Sequence, residues 1–276
     1  MLTKTVTAIV MIGLCQFASA NPEAADRSTL IKEVLKVTGI EKQIQQLPSM
    51  IRGDLARSVV NLSPRYQWQL EVAIDEAFRP DLIYQSIYDS YDRQFDRQRF
   101  TELLDMQKNP LVERMSHMEE DTQKEDAEEF HQFITYFHSD SADPNRVVLI
   151  NRLVKVSGIA EITVDTQLAA IKGLTDAINP ALPARQQHSN AQLKDIYSRL
   201  RSNLLEGLEK VALMTTMYVY QPASDAEIVS YTDLKKSETA QWATNLRKEA
   251  MVDALTDIAH QAGERISEVL IRANAI

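Results

Sequence analysis

The sequence predicts an all-helical protein, in which two tandem and structurally similar helical bundles arose by internal duplication. Three observations lead to this prediction. The segment Leu30–Ile40 returns 119 residues later as Leu149–Ile159, with six of eleven paired positions identical, and such self-similarity indicates a repeat. Apolar residues recur every three or four positions, which is the period of a helix with one buried face. No segment alternates between apolar and polar residues over more than a few positions, as a half-buried strand does.

The repeated segment has the pattern of a helix that ends at a glycine. In the first copy, the apolar stripe indicates a helix from about Ser28 to Thr38. Gly39 and Gly158 are candidate helix C-caps, because glycine adopts the left-handed turn after a helix without a steric cost. An isoleucine follows each glycine, and we expect it to fold back onto the last turn of its helix.

A second helix is predicted from Ile40 to about Val60. Pro48 lies inside it, and a proline inside a helix removes a hydrogen bond and bends the axis. The second copy has Ala169 at the matching position. We therefore predict a kink at Pro48 rather than a turn.

Residues 1–20 have the pattern of a secretory signal. Lys4 provides a positive start, Val6–Phe17 is a short apolar run, and Ala18–Ala20 is a small-residue cleavage site. Cleavage there would also remove Cys15, the one cysteine of the chain. An exported protein without cysteine, with a leader of bacterial type, is predicted to be periplasmic, with secretion as the alternative.

The net charge of −9 argues against nucleic acids and anionic membranes as partners, because both require a basic face. No apolar run after the leader approaches the length that spans a membrane. The polar stretch His138–Asn145 is the best boundary between the halves. It separates a first repeat of residues 21–138 from a second repeat of residues 139–276, and each is expected to enclose its own apolar core.

Prolines and capping side chains mark the helix starts of the first half. Ser63 is a candidate N-cap with Pro64 in the first turn, and Pro80 begins the next helix. Further helices are predicted near Asp96–Lys108 and from Pro110 onward. Between them lies an aromatic stripe whose rings share one helix face, namely Tyr84, Tyr88, Tyr91 and Phe95. Packing in a core is favoured for this stripe over stacking on a ligand.

Two further helix starts are predicted from capping boxes. Thr122 precedes Glu125, and Ser224 precedes Glu227, with the spacing at which both side chains cap the same helix end.

In the second half, Asn179–Asn190 contains two prolines and is predicted to be a loop. A long amphipathic helix follows it, and the C-terminal helix is predicted to span about Ser237–Arg272.

The ends of both halves carry similar short motifs. In the first half, Phe100–Leu104 is followed by Asn109–Val112, and in the second half Ser224–Ile228 repeats the polar cap. With these segments the chain resembles a bacterial family called domain of unknown function 2059. Val112 stands where that family has glycine, and Lys236–Thr239 lacks the family's proline and glycine. The resemblance implies an exported, helical protein that is poor in cysteine, and it carries over no catalytic residue.

No catalytic, cofactor-binding or metal-ligating residue is assigned from the sequence. The chain has no glycine-rich phosphate loop, no nucleophile elbow and no His-Glu-x-x-His helix. Glu128 and His131 have half of the spacing of a di-iron site, and Asp257 with His260 is the nearest second pair, but with the wrong acid. A solvated acidic helix face explains these residues more simply.

Three functions are compatible with these patterns. The favoured one is a non-enzymatic module that binds a protein or envelope partner in grooves between helices, with Met115 and Met118 as the candidate contacts. The second is a carrier of a small apolar ligand or lipid in a cavity between the halves. The third is an enzyme in which His131 or His260 meets carboxylates in a cleft. The sequence does not predict the oligomeric state.

Overall fold

The computed structural model describes residues 22–45, 64–122, 127–137 and 143–274. Within these ranges the chain is helical with short connections and contains no strand, so the all-helical prediction is confirmed. The predicted leader of residues 1–20, the predicted kink at Pro48 and the predicted cap at Ser63 lie outside the described residues. No helix within the described part of the chain combines the length and the apolar character that crossing a membrane requires.

Eleven helices are labelled here in chain order, and residues 40–45 form a further short helical stretch after the first. The eleven are α1 (Pro22–Val37), α2 (Pro64–Ala77), α3 (Pro80–Arg93), α4 (Arg97–Gln107), α5 (Pro110–Thr122), α6 (Ala127–Phe137), α7 (Pro144–Ser157), α8 (Ile159–Ile178), α9 (Asn190–Val219), α10 (Asp225–Lys235) and α11 (Glu238–Asn274). Between α8 and α9 the predicted loop contains two 3-10 turns, Asn179–Ala181 and Ala184–Gln186.

Side-chain caps explain where several helices begin. Asp96 accepts a hydrogen bond from the backbone N–H of Arg99 at the start of α4, at 3.1 Å. Ser224 and Glu227 form a reciprocal capping box at the start of α10. Such caps satisfy backbone donors that the first turn of a helix leaves without partners.

The capping box predicted at Thr122 includes Glu125, which lies outside the described residues, so it stays a prediction. Thr122 itself lies in the last turn of α5, where its hydroxyl donates to the carbonyl of Met118 at 2.8 Å. Threonine commonly bonds to the carbonyl four residues earlier inside a helix, and this competes with a capping role. The next described helix begins at Ala127.

The first core contains side chains from α1, residues 40–45, α2, α3 and α4, and it is closed by α8 and α11. Its large, fully buried members come mainly from the first half of the chain; among them are Ile31, Leu35, Ile40, Ile44, Phe78, Ile83, Ile87 and Phe100. The C-terminal helix adds a long strip of alanine and larger apolar residues that runs from Leu246 to Ile266.

The second core contains α7, α9 and α10 together with α5. Its buried members are Val112, Met115, Ile150, Leu153, Val154, Met217, Tyr220, Ala223, Ile228 and Tyr231. Two phenylalanines of α6, Phe133 and Phe137, pack against it. Each core therefore draws on both halves of the sequence, which differs from the expectation of a separate core in each half.

The halves are joined through their last helices. Helices α5 and α6, which precede the boundary at residue 138, pack on α9, and α5 also contacts α10. Helix α11, which ends the second half, packs on α2, α3 and α4. Neither half can bury its apolar helix faces without the other, because the helix that covers each core comes from the other half.

Helices α8 and α11 form the most extensive helix pair. They approach closely because small residues line the contact, including Ala169 and Ala170 on one side and Ala259 on the other. At Gly173 there is no room for a side chain, since a Cβ atom there would lie 2.6 Å from the carbonyl oxygen of Thr256. The sequence of small residues thus determines the spacing of the two axes.

The two repeated turns have the same backbone geometry. Gly39 has φ +73° and Gly158 has φ +61°, which is the left-handed region, and each ends one helix and precedes another. Ile40 is fully buried in the first core. Ile159 is 49% exposed, which contradicts the expectation that it packs back onto its helix.

Candidate functional site

A groove of about 780 Å³ lies between α5, α6, the start of α7 and the end of α9. Its volume is within the usual range for ligand and peptide sites, roughly 300–1,000 Å³. The lining combines apolar, aromatic and acidic side chains and consists of Met118, Asp121, Thr122, Glu129, Gln132, Phe133, Phe137, Asp143, Arg146, Met217, Tyr218, Val219, Gln221 and Pro222.

The floor of the groove is aromatic. Phe130 and Phe133 of α6 each place their ring centroid 5.2 Å from that of Tyr218 on α9, and Phe133 lies 6.1 Å from Phe137. Such tilted and edge-to-face pairs are favourable beyond the area that they bury. These rings hold α6 against α9 and leave an apolar surface along the groove.

The rim of the groove is acidic. Asp121, Glu129 and Asp143 line it, and Arg146 is the one basic side chain among the described residues of its lining. The Arg146 guanidinium forms an ion pair with Asp225 and donates to the carbonyl oxygens of Tyr220 and Ala223. Among the described residues that line the groove, carboxylates therefore outnumber basic side chains.

The two methionines predicted as contacts occupy different places. Met115 is 0% exposed and packs inside the second core, so it presents no surface to a partner. Met118, one helical turn later on α5, is half-buried and lines the groove. Of this pair, Met118 alone can contact a molecule that occupies the groove.

The aromatic stripe of α3 and its continuation belong mainly to the first core. Tyr91 is buried, and its ring meets that of Phe100 edge-on at 6.1 Å. Phe95 also packs on Phe100, with the centroids 5.1 Å apart. Tyr84 and Tyr88 stack on each other at 6.5 Å and are partly buried. The stripe therefore serves chiefly as packing.

The histidines within the described ranges, His117, His131, His188 and His260, are all exposed. They belong to four different segments, namely α5, α6, the turn before α9 and α11. In the described part of the chain, no three His, Cys, Asp or Glu side chains come close enough together to hold a metal ion. Among these residues, neither His131 nor His260 therefore belongs to such a group.

A polar network lies near the groove, where the two cores meet. The hydroxyl of Tyr220 donates to a carboxylate oxygen of Glu119, and the ring of Tyr220 lies 6.1 Å from that of Tyr231. Burial, reinforced by the charge of Glu119, raises the pKa of Tyr220 well above its ordinary value. Tyr220 therefore stays protonated and acts as a donor to Glu119 across the physiological range.

Sequence reasoning did not find the groove or this network. The apolar face of α6 was visible in its spacing, but periodicity does not tell which helix such a face meets. Tyr218 and Tyr220 sit at the end of a long helix, and nothing local marks them as partners of residues about 100 positions earlier. Only the packing of α5 and α6 on the second half brings these residues together.

Comparison of the chain with models of protein families, with curated proteins and with solved structures finds no match in any of the three. The function must therefore be argued from the geometry of the site.

Proposed function

We propose that this protein is a non-enzymatic binding module, which holds a basic polypeptide segment with apolar anchor residues in the groove between α5, α6 and α9. The observation that carries this proposal is the combination of an aromatic floor with an acidic rim in a groove of about 780 Å³. An amphipathic segment that lays its apolar face into a groove is a common mode of peptide recognition.

The charge of the groove selects the partner. Lysine or arginine side chains that flank the apolar anchors would meet Asp121, Glu129 and Asp143 at the rim. The whole chain carries a net charge of −9, so a basic partner is also attracted over longer distances. An acidic segment of the same shape would be repelled by both effects.

The leader pattern supports a place for this function outside the cytoplasm. A secretory signal at residues 1–20 would deliver the module to the periplasm or to the exterior. The resemblance to the exported family called domain of unknown function 2059 agrees with this placement, and membership in that family is part of the proposal.

A pair of synthetic peptides tests the groove. Both peptides have leucine and phenylalanine at the same helical positions, with lysine at the polar positions of one and glutamate at those of the other. Fluorescence anisotropy is expected to show binding of the lysine peptide alone, and added salt should weaken this binding because it screens the rim charges.

Glu129→Lys is the matched probe of the rim, and Glu209→Lys is its control. Glu209 is exposed on α9 and lies outside the groove. We expect Glu129→Lys to weaken the binding of the lysine peptide by about fivefold or more, since a like charge then faces the peptide. Glu209→Lys should have almost no effect on this binding. Equal binding of the two peptides, or equal effects of the two variants, would contradict the proposal.

A further inference from the structure

A second cavity of about 150 Å³, called the chamber below, lies between the two cores and is partly open to solvent. It is bounded by the ends of α1 and α4, by α3, α5 and α10, and by the first turns of α11. The chamber is lined by Val37, Thr38, Tyr91, Leu103, Met106, Gln107, Ser116, Glu119, Tyr231, Lys235, Ala240, Ala243, Thr244, Leu246 and Arg247. None of its residues belongs to the lining of the groove described above.

Two donors beside the chamber make no hydrogen bond to the described residues. The first is the hydroxyl of Tyr91, which lines the chamber and is not fully buried. The Nε–H of Arg247 is buried and also has no partner there, while Nη2 of the same guanidinium donates to the side chain of Gln43 at 2.7 Å. A buried donor without an acceptor, such as Nε of Arg247, is rare in proteins, because it costs the free energy of its lost hydration.

The charges around the chamber leave one positive charge in excess. Arg247 and Lys235 line it as cations, and Glu119 is its one carboxylate. The hydroxyl of Tyr220 already donates to Glu119, and no carboxylate of the described residues lies within ion-pair distance of Arg247. Burial lowers the pKa of Arg247, and the nearby Tyr91 and Glu119 only partly oppose this. A single negative charge beside the guanidinium would neutralise this excess positive charge.

The size and the remaining walls limit the ligand further. Because an apolar cavity of about 150 Å³ in another protein holds benzene, the chamber admits a molecule of roughly six heavy atoms or fewer. The lining also contains apolar side chains, called the apolar wall below, namely Leu103, Met106, Ala243 and Leu246. A short hydrocarbon chain can pack against them, whereas a phosphate dianion would bring a second charge against Glu119.

We propose that this chamber binds a small aliphatic monocarboxylate, with the size of propionate. Its carboxylate accepts hydrogen bonds from the guanidinium of Arg247 and the hydroxyl of Tyr91, and its alkyl group packs against the apolar wall. Such a ligand touches helices of both cores at once. Binding therefore stabilises the junction between the two halves, since any ligand that prefers the folded state raises its stability.

Titration of the purified protein with sodium propionate, followed by calorimetry and by thermal unfolding, tests the proposal. We expect a dissociation constant on the order of 1 mM, as suits a ligand of this size, and an upward shift of the unfolding temperature relative to sodium chloride at the same ionic strength. Propionamide, which has the same shape and no charge, should bind at least about tenfold more weakly.

Tyr91→Phe removes only the hydroxyl and is the main probe, with Tyr88→Phe on the same helix as its control. Tyr88 stacks on Tyr84 outside the chamber. Tyr91→Phe should weaken propionate binding by about fivefold, and Arg247→Met by about tenfold or more, while Tyr88→Phe leaves it unchanged. The proposal is overturned if propionate does not bind, if propionamide or phosphate binds equally well, or if Tyr91→Phe behaves like its control. Tyr91→Phe keeps the test decisive even if Arg247→Met does not fold.

Discussion

The turn after α1 and the turn after α7 use the same hydrogen bonds, yet the helices that follow them bury different faces. In both turns the glycine N–H bonds to the carbonyl three residues earlier, at 3.1 Å for Gly39 and 3.3 Å for Gly158. After both, the glycine carbonyl accepts the first bond of the next helix, from Gln43 and from Ile162. The local chemistry of the two turns is therefore equivalent.

The buried residues after the two turns are displaced by one position. After Gly39, Ile40 and Ile44 are buried, whereas after Gly158, Ala160 and Val164 are buried and Ile159 is exposed. One residue corresponds to a rotation of about 100° around a helix. Two equivalent turns thus lead to helices whose contact faces are rotated relative to each other, because the helices that receive them differ.

The largest single-residue effect is expected at the first isoleucine of this comparison. Ile40→Ala should lower the free energy of unfolding by about 2–4 kcal/mol, because it leaves a cavity in the first core. Ile159→Ala, at the matching position after Gly158, should change it by less than about 0.5 kcal/mol, since the side chain is half exposed and alanine favours helix. Urea unfolding followed by circular dichroism measures both. Similar losses for the two variants would show that the two faces are buried alike.

The close contact of α8 with α11 gives the next effect. Gly173→Ala should destabilise the protein by about 1–3 kcal/mol, because the new methyl group meets backbone atoms that cannot move aside cheaply. Gly207→Ala is the control, since Gly207 is exposed on α9 and a Cβ atom there meets nothing within 4 Å. This variant should gain about 0.5–1 kcal/mol from helix propensity. Loss of stability in both variants would show that the close contact between α8 and α11 is not the cause of the effect at Gly173.

The smallest of these effects concerns the ion pairs that connect α8 with α9 and α11. Asp165 is bonded to Arg201 of α9 and to Lys248 of α11, at 2.9 Å in each case, and its side chain is 17% exposed. Burial raises the pKa of Asp165, but the hydrogen bonds from Arg201 and Lys248 outweigh it, and the pKa is lowered from 3.8. The carboxylate is therefore favoured in the folded state.

Asp165→Asn should cost about 1–2 kcal/mol at neutral pH. A carboxyl group with a lowered pKa in the folded state stabilises above its unfolded pKa, and this stabilisation is lost as the pH falls through the folded pKa. The difference between the wild type and the variant should thus shrink as the pH falls below about 4. Asp195→Asn breaks an exposed pair with Arg199 and should stay within about 0.5 kcal/mol at every pH. A difference for Asp165→Asn that is independent of pH would contradict this assignment.

The sequence alone determined those features that depend on residues close to one another in the chain. The helical period follows from residues three and four apart, and the capping box of Ser224 and Glu227 requires only two side chains within one turn. Gly39 and Gly158 mark their turns because only glycine enters the left-handed region freely. The duplication, the leader and the boundary at residue 138 remain predictions of this kind.

Tertiary structure alone decided which surfaces meet. The spacing of apolar residues predicts that α5, α6 and α11 each have an apolar face, but it does not predict which helix packs on that face. Here the helices that pack on these faces include ones from the other half of the sequence. The burial of Met115, the exposure of Ile159, the groove at Tyr218 and the chamber at Arg247 all follow from that exchange. Apolar burial is not directional, so it favours any arrangement that covers the faces, and only the fit of whole helices selects one.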